Sequence, residues 1–311
     1  MQPLTWPEIN RYAKPISVSE RHALLVLAML LVASAAVLTR LTGMPPLAVA
    51  FWRTALAGGM LGCVLWRSIP WGIVPWRQLA LSGLALALHF ALWIASLDMI
   101  PVALSVLLVC TQPIFVALAS RCILGEQQGV VVWLGIALAL TGTAWATGLG
   151  WQGRLLGQCL ALGGAVAAAA YVLLGRRILG DSDGERLGSL RYSCLTYLMA
   201  ACWLLPCCLL SGQGLFGHAA SGWLFVAAIV VGPQLVGHTL INQALRHLQV
   251  ATVAVAFLLE PPAAALMAWL FLGETVPGRF WPGAAVTLLG IALVARAQGV
   301  DDLVRQEEVM P

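Results

Sequence analysis

Long apolar stretches joined by short polar connections fill most of the chain, near residues 22–39, 45–66, 76–97, 101–124, 129–148, 153–175, 188–211, 220–245, 250–272 and 279–297. Each is close to the roughly 20 helical residues that cross a hydrocarbon core of about 30 Å. Within a stretch, Leu, Ala, Val and Gly follow one another without the period-two alternation of a barrel strand. Helices satisfy every backbone N–H and C=O inside the segment, as lipid requires. The pattern predicts an all-α membrane protein of about ten transmembrane helices. Separating the third span from the fourth depends on Pro101 opening a new helix. The first stretch has the outline of a secretory signal, with basic residues before it and Ala33, Ser34, Ala35 and Ala36 at its end. Its counterpart in the second half favours a retained helix.

Composition agrees. Of 311 residues, 60% are hydrophobic and 10% are charged, against about 25% charged in soluble domains, and the mean hydropathy is +0.90. With the N-terminus in the cytoplasm, ten alternating helices put Arg11, Lys14, Arg21, Arg67, Arg77, Arg121, Arg176, Arg177, Arg186, Arg191, Arg246, Arg296 and Arg305 inside. Arg40, Arg154 and Arg279 fall outside. The positive-inside rule then predicts both termini in the cytoplasm of a bacterial inner membrane. The net charge of +4 reflects this topology and gives no sign of nucleic-acid binding. The eight cysteines, Cys63, Cys110, Cys122, Cys159, Cys194, Cys202, Cys207 and Cys208, show no metal spacing and read as small buried hydrophobes. No metal or cofactor is expected.

The two halves match when laid over each other. His89 falls on His238 and Pro113 on Pro262 at one offset of 149. After one residue is lost, Leu124-Gly125-Glu126 falls on Leu272-Gly273-Glu274, and Gly135 and Gly142 on Gly283 and Gly290. Five helices per repeat is an odd number, so the second repeat must enter the membrane from the opposite side. Two inverted five-helix repeats are therefore expected, as in many secondary transporters. The expected divisions are a cytoplasmic segment 1–21, a first repeat 22–149, a second repeat 150–297 and a cytoplasmic tail 298–311.

The run His89-Phe90-Ala91-Leu92-Trp93-Ile94-Ala95-Ser96-Leu97, then Pro101-Val102-Ala103, Gln112-Pro113 and Leu124-Gly125-Glu126, resembles the first EamA repeat of the drug/metabolite transporter superfamily. Glu260-Pro261-Pro262 with Leu272-Gly273-Glu274 resembles the second, and Arg53 in Phe51-Trp52-Arg53-Thr54 resembles an arginine frequent early in that family's second helix. The resemblance covers about residues 22–297. It implies ten helices, cytoplasmic termini and a central cavity worked by alternating access. It leaves the substrate open among amino acids, metabolites, drugs and sugars.

Polar groups inside a membrane are expensive and mark candidate sites. Glu260 lies mid-span and reads either as a proton carrier or as a cap for backbone loosened by Pro261 and Pro262. Pro113 and Pro262 interrupt corresponding spans, the best sequence pointer to a transporter's substrate site. Gln234, His238 and Asn242 are spaced by four on the eighth span, and Ser82, His89, Trp93 and Ser96 share a face of the third. The two histidines stand at matched depth and are expected on one cavity. Arg53 either binds an anionic group, pairs with a carboxylate or snorkels to the interface. Gln112, Tyr171, Tyr197 and Thr252 are weaker cavity candidates, His247 is weaker still, and Glu126 and Glu274 read as structural. Most Trp residues sit near span ends as interfacial anchors.

No phosphate loop or hydrolase motif is present, so the reading is a non-enzymatic secondary transporter, most commonly an exporter of amino acids or related metabolites. Expected partners are lipid, a small-molecule solute, a coupling proton and a second copy in a homodimer. A non-transporting scaffold or regulatory subunit, and an intramembrane acid–base enzyme, are the alternatives. A dry, fully hydrogen-bonded arrangement of the candidate groups would remove the transport site.

Overall fold

A computed structural model of the chain describes residues 18–112, 115–116, 119, 129–147, 155–180, 186–248, 253, 256–273, 278–279, 281–290, 292–293 and 297. Among them the secondary structure is helical, with no strand. The helices are α1 (Val18–Thr42), α2 (Pro46–Leu65), α3 (Trp76–Leu97), α4 (Val102–Val109), α5 (Val130–Thr147), α6 (Leu155–Gly180) and α7 (Ser189–Ser211). A continuous run follows, made of α8 (Ala220–Ile229), a π-helical stretch (Val230–His238) and α9 (Thr239–His247). After a 3-10 turn (Phe257–Leu259) come α10 (Glu260–Leu272) and a last helix, α11, over 281–290.

Among the described residues, six helices are long and apolar enough to cross a membrane: Ala23–Thr42, Pro46–Ser68, Trp76–Leu97, Leu155–Gly180, Ser189–Ser211 and Ala220–Leu245. Val130–Trp145 and Phe257–Leu272 are apolar but shorter. The expected fourth and ninth spans differ from an unbroken helix for a physical reason. In the fourth, α4 ends at Val109 and the chain turns at Cys110 and Thr111. A proline at 113 has no N–H to give the carbonyl of Val109, so an α-helix loses a bond at that point. In the ninth, the 3-10 turn ends at Leu259 and α10 restarts at Glu260, with Pro261 and Pro262 in its first turn. Prolines are tolerated there because the first N–H groups have no intrahelical acceptor. The 3-10 turn and α10 form one apolar run, Phe257–Leu272, whose winding changes where the sequence suggested an interruption. Residues 110–111 map onto 259–260 at the offset of 149, so the two discontinuities occupy matched places.

Packing is reciprocal between the halves. α3 lies against α6 as the 220–247 run lies against α1, and α4 lies against α6 as α10 lies against α1. α2 and α7 pack closely on each other, through Gly58, where an added Cβ would come within 2.9 Å of Leu198. The tightest reciprocal contact joins α5 to α11. A Cβ on Gly142 would stand 2.7 Å from the Gly283 carbonyl oxygen, and one on Gly290 would stand 2.6 Å from that of Gly135. The same positions thus meet in exchanged roles, which makes the two helices antiparallel. Thr143 and Thr287 hydroxyls add a 3.2 Å hydrogen bond across the seam. Small residues let the backbones approach, as membrane helix pairs require. Leu272-Gly273 ends α10, with Gly273 at φ 69°, a left-handed terminator that glycine adopts without strain. Pro113, Leu124, Gly125, Glu126, Thr252 and Glu274 lie outside the described residues, as do residues 1–17 and 298–311.

Candidate functional site

Between the halves is a small cavity lined by Val32, Ala35, Arg53, His89, Phe90, Trp93, Val109, Gln112, His238, Phe257 and Glu260. Its side chains come from α1, α2 and α3, the end of α4, the π-helical stretch and the α10 start. Both helix discontinuities therefore open onto it. Its volume of about 10 Å³ is near the minimum that holds one water molecule. In this conformation the chamber is closed around its polar groups.

Arg53, in the middle of α2, is fully buried at 0% exposure, which excludes snorkelling. Its guanidinium carbon lies 3.9 Å above the Phe90 ring centroid. Its Nε–H donates to Gln234 Oε1 at 2.8 Å. The stacking and that one bond fix the plane, while Nη1 and Nη2 have no partner. Glu260 lines the same cavity at 4% exposure, and the Cys110 thiol approaches its Oε2 at 3.9 Å.

The paired histidines both reach the chamber, but in different states. His89 Nδ1 lies 3.0 Å from the Gly164 carbonyl, and its ring stacks parallel on Trp93 at 5.9 Å. His238 Nδ1 has no partner, and its ring meets Phe90 edge-on at 5.4 Å. Trp93 Nε1 and Gln112 Nε2 are likewise unpartnered. Eight buried side-chain nitrogen or oxygen atoms lack a partner among the described residues. Five belong to residues on the cavity wall, and a sixth, Gln234 Nε2, belongs to the residue that holds Arg53. Native interiors leave few such atoms, because each costs about 1–3 kcal/mol. Among the described residues, most such atoms are gathered at this cavity.

The polar stripe of the eighth span does not stay together. His238 faces the cavity and Gln234 backs it, whereas Asn242 accepts from the Tyr171 hydroxyl at 2.6 Å and donates to Ser193 Oγ at 2.8 Å. Pro233, which has no N–H, lies inside the π-helical stretch Val230–His238. That stretch covers the interval from Gln234 to His238, whereas Asn242 lies a turn further on in α9. Ser82 bonds the Tyr192 hydroxyl at 2.7 Å, and Ser96 bonds the Trp93 carbonyl and Ser105. Tyr197 donates to the Gln234 carbonyl at 3.1 Å. These candidates build the wall behind the site. The sequence reading missed Phe90, Phe257 and Cys110. The first two are apolar and carried no signal, and the cysteine was indistinguishable from the packing cysteines.

An all-helical chain with several apolar spans and one enclosed polar chamber is a multi-pass membrane protein. It belongs to the EamA-like transporter family, whose domain is matched twice, over residues 22–148 and 155–296. It is similar to a riboflavin transporter of Rhizobium johnstonii, 28% identical over 235 residues that cover 71% of this chain and 70% of the other. It is also similar to the threonine/homoserine exporter RhtA of Salmonella typhimurium, 28% identical over 252 residues covering 75% and 77%. A protein of known crystal structure shares the fold at a TM-score of 0.75 and 21% identity, over 91% of this chain and 99% of that one.

Proposed function

We propose that the protein is a secondary active transporter that carries a small polar metabolite, an amino acid or a related compound, out of the cell by alternating access. The observation that carries this reading is the chamber: unpartnered donors and one carboxylate, enclosed at the matched discontinuities of the two repeats. A structural core would have satisfied these groups, whereas a transient solute satisfies them only while bound. Ten spans in two inverted repeats complete the architecture, with both termini in the cytoplasm of the inner membrane. The antiparallel contact of α5 with α11 at equivalent positions supports the inversion. Rocking of the halves opens the chamber to each side in turn, and the α5–α11 seam is the place where they stay in backbone contact. Relatives named for threonine/homoserine export and for riboflavin transport support a small-molecule solute.

In this mechanism Glu260 carries a proton through the cycle, balancing Arg53 when ionised and becoming neutral when the chamber faces the other side. A panel of amino acids and metabolites is tested in proteoliposomes under an imposed pH gradient, beside Glu260→Gln. Gradient-driven flux that disappears in the variant is the expected result. Flux that persists unchanged removes Glu260 from the proton path, and no flux for any solute returns the chain to a non-transporting reading.

A further inference from the structure

We propose that the two free Nη groups of Arg53 form a carboxylate subsite, so that the transported solute is one that carries a carboxylate; this rests on the transporter reading above. The guanidinium is already oriented before a ligand arrives. Its face lies on Phe90 at 3.9 Å, its Nε–H is committed to Gln234 at 2.8 Å, and its buried fork is left without a partner. A planar fork with two parallel N–H groups matches the two oxygens of a carboxylate, and it does so better than it matches a lone hydroxyl or carbonyl. The surroundings add donors and few acceptors: Trp93 Nε1 and Gln112 Nε2 are free N–H groups on the same wall. Among the described residues lining the chamber, Glu260 is the only acidic one. A site with this excess of donors selects an acceptor-rich, anionic end. The opposite charge of Glu260 on the same wall keeps the empty chamber neutral, and it also meets a cationic group on the far side of a small zwitterion.

This inference separates the two kinds of solute named for the relatives, because threonine has a carboxylate and riboflavin has none. The test compares a panel of amino acids, L-threonine first, each with its carboxamide, and riboflavin, on the full chain. Counterflow in proteoliposomes and the ligand-induced shift in thermal unfolding of the purified protein are both read. A solute that is carried should lose at least about tenfold in apparent affinity when its carboxylate becomes an amide, the range expected for losing a charged bidentate contact. The acid-to-amide ratio should fall toward one in Arg53→Gln and fall markedly in Arg53→Lys, which keeps the charge without the fork. If an Arg53 variant fails to fold, the acid–amide comparison on the unaltered chain still decides. Equal competition by acid and amide, or transport of riboflavin with no amino acid carried, overturns the subsite and leaves the transporter reading standing. The same result follows if the fork serves only as an internal partner for Glu260, since the acid would then gain nothing over the amide. Absence of binding and flux for every solute overturns both.

Discussion

Two buried polar regions lie within a few helical turns of each other, and they are finished in opposite ways. Around α7, Asn242 of α9 joins Tyr171 of α6 and Ser193, Tyr192 joins Ser82 of α3, and Tyr197 joins the Gln234 carbonyl and Thr239. Each of these links is closed by protein alone. In the chamber, Arg53, Trp93, Gln112 and His238 carry N atoms with no protein partner. Residues of both regions are buried, so burial does not separate them. Completion of the hydrogen bonds does. A closed network orders helices against each other, and an open one leaves energy to be released by something that enters.

The comparison is sharpened by variants of decreasing effect on folding. Gly142→Leu should cost the most, about 3 kcal/mol or enough to prevent folding, because a side chain there meets the backbone of α11. Yield of monodisperse protein and its thermal unfolding in detergent check this. Asn242→Leu should destabilise by about 2 kcal/mol, since it strands the Tyr171 hydroxyl and Ser193. Unfolding temperature should fall while the affinity for any transported solute stays nearly constant. Trp93→Phe should do the reverse. It removes an N–H that has no partner among the described residues, so the loss of stability should be confined to the smaller buried ring, about 1 kcal/mol and below that of Asn242→Leu. Transport should fall about three- to tenfold if that N–H bonds the solute. Equal stability losses for Asn242→Leu and Trp93→Phe would erase the distinction between the regions.

The spans from 22 to 97 and from 155 to 245 were legible in the sequence, because their apolar runs are long and uninterrupted. The repeat was legible too, through His89 with His238 and Gly142 with Gly290, whose matched spacing survives divergence. Of the candidate residues, Arg53, His89, Trp93, Gln112, His238 and Glu260 meet on one cavity, as intramembrane polarity suggested. Asn242 left the group because it lies one α-helical turn past His238, where it meets Tyr171 and Ser193 instead of the cavity. Pro261 and Pro262 stand just after the change from 3-10 to α winding, a placement that depends on where the preceding turn ends. Phe90, which fixes the Arg53 plane, was one apolar residue among many until its ring was seen beneath the guanidinium.

One buried cysteine beside the chamber and another away from it allow a direct test of the central claim that the chamber opens to solvent during function. Cys110 stands beside Glu260, and Cys194 is packed between α2 and α7 against the Gly58 carbonyl. Two proteins, each retaining one of these cysteines with the remaining ones replaced by alanine, are reconstituted and treated with a small water-soluble methanethiosulfonate from either side. The account predicts that Cys110 is modified from both sides, at a rate that changes when a transported solute is present, while Cys194 stays unreactive. Modification of Cys110 no faster than Cys194, from either side and with or without solute, would contradict it.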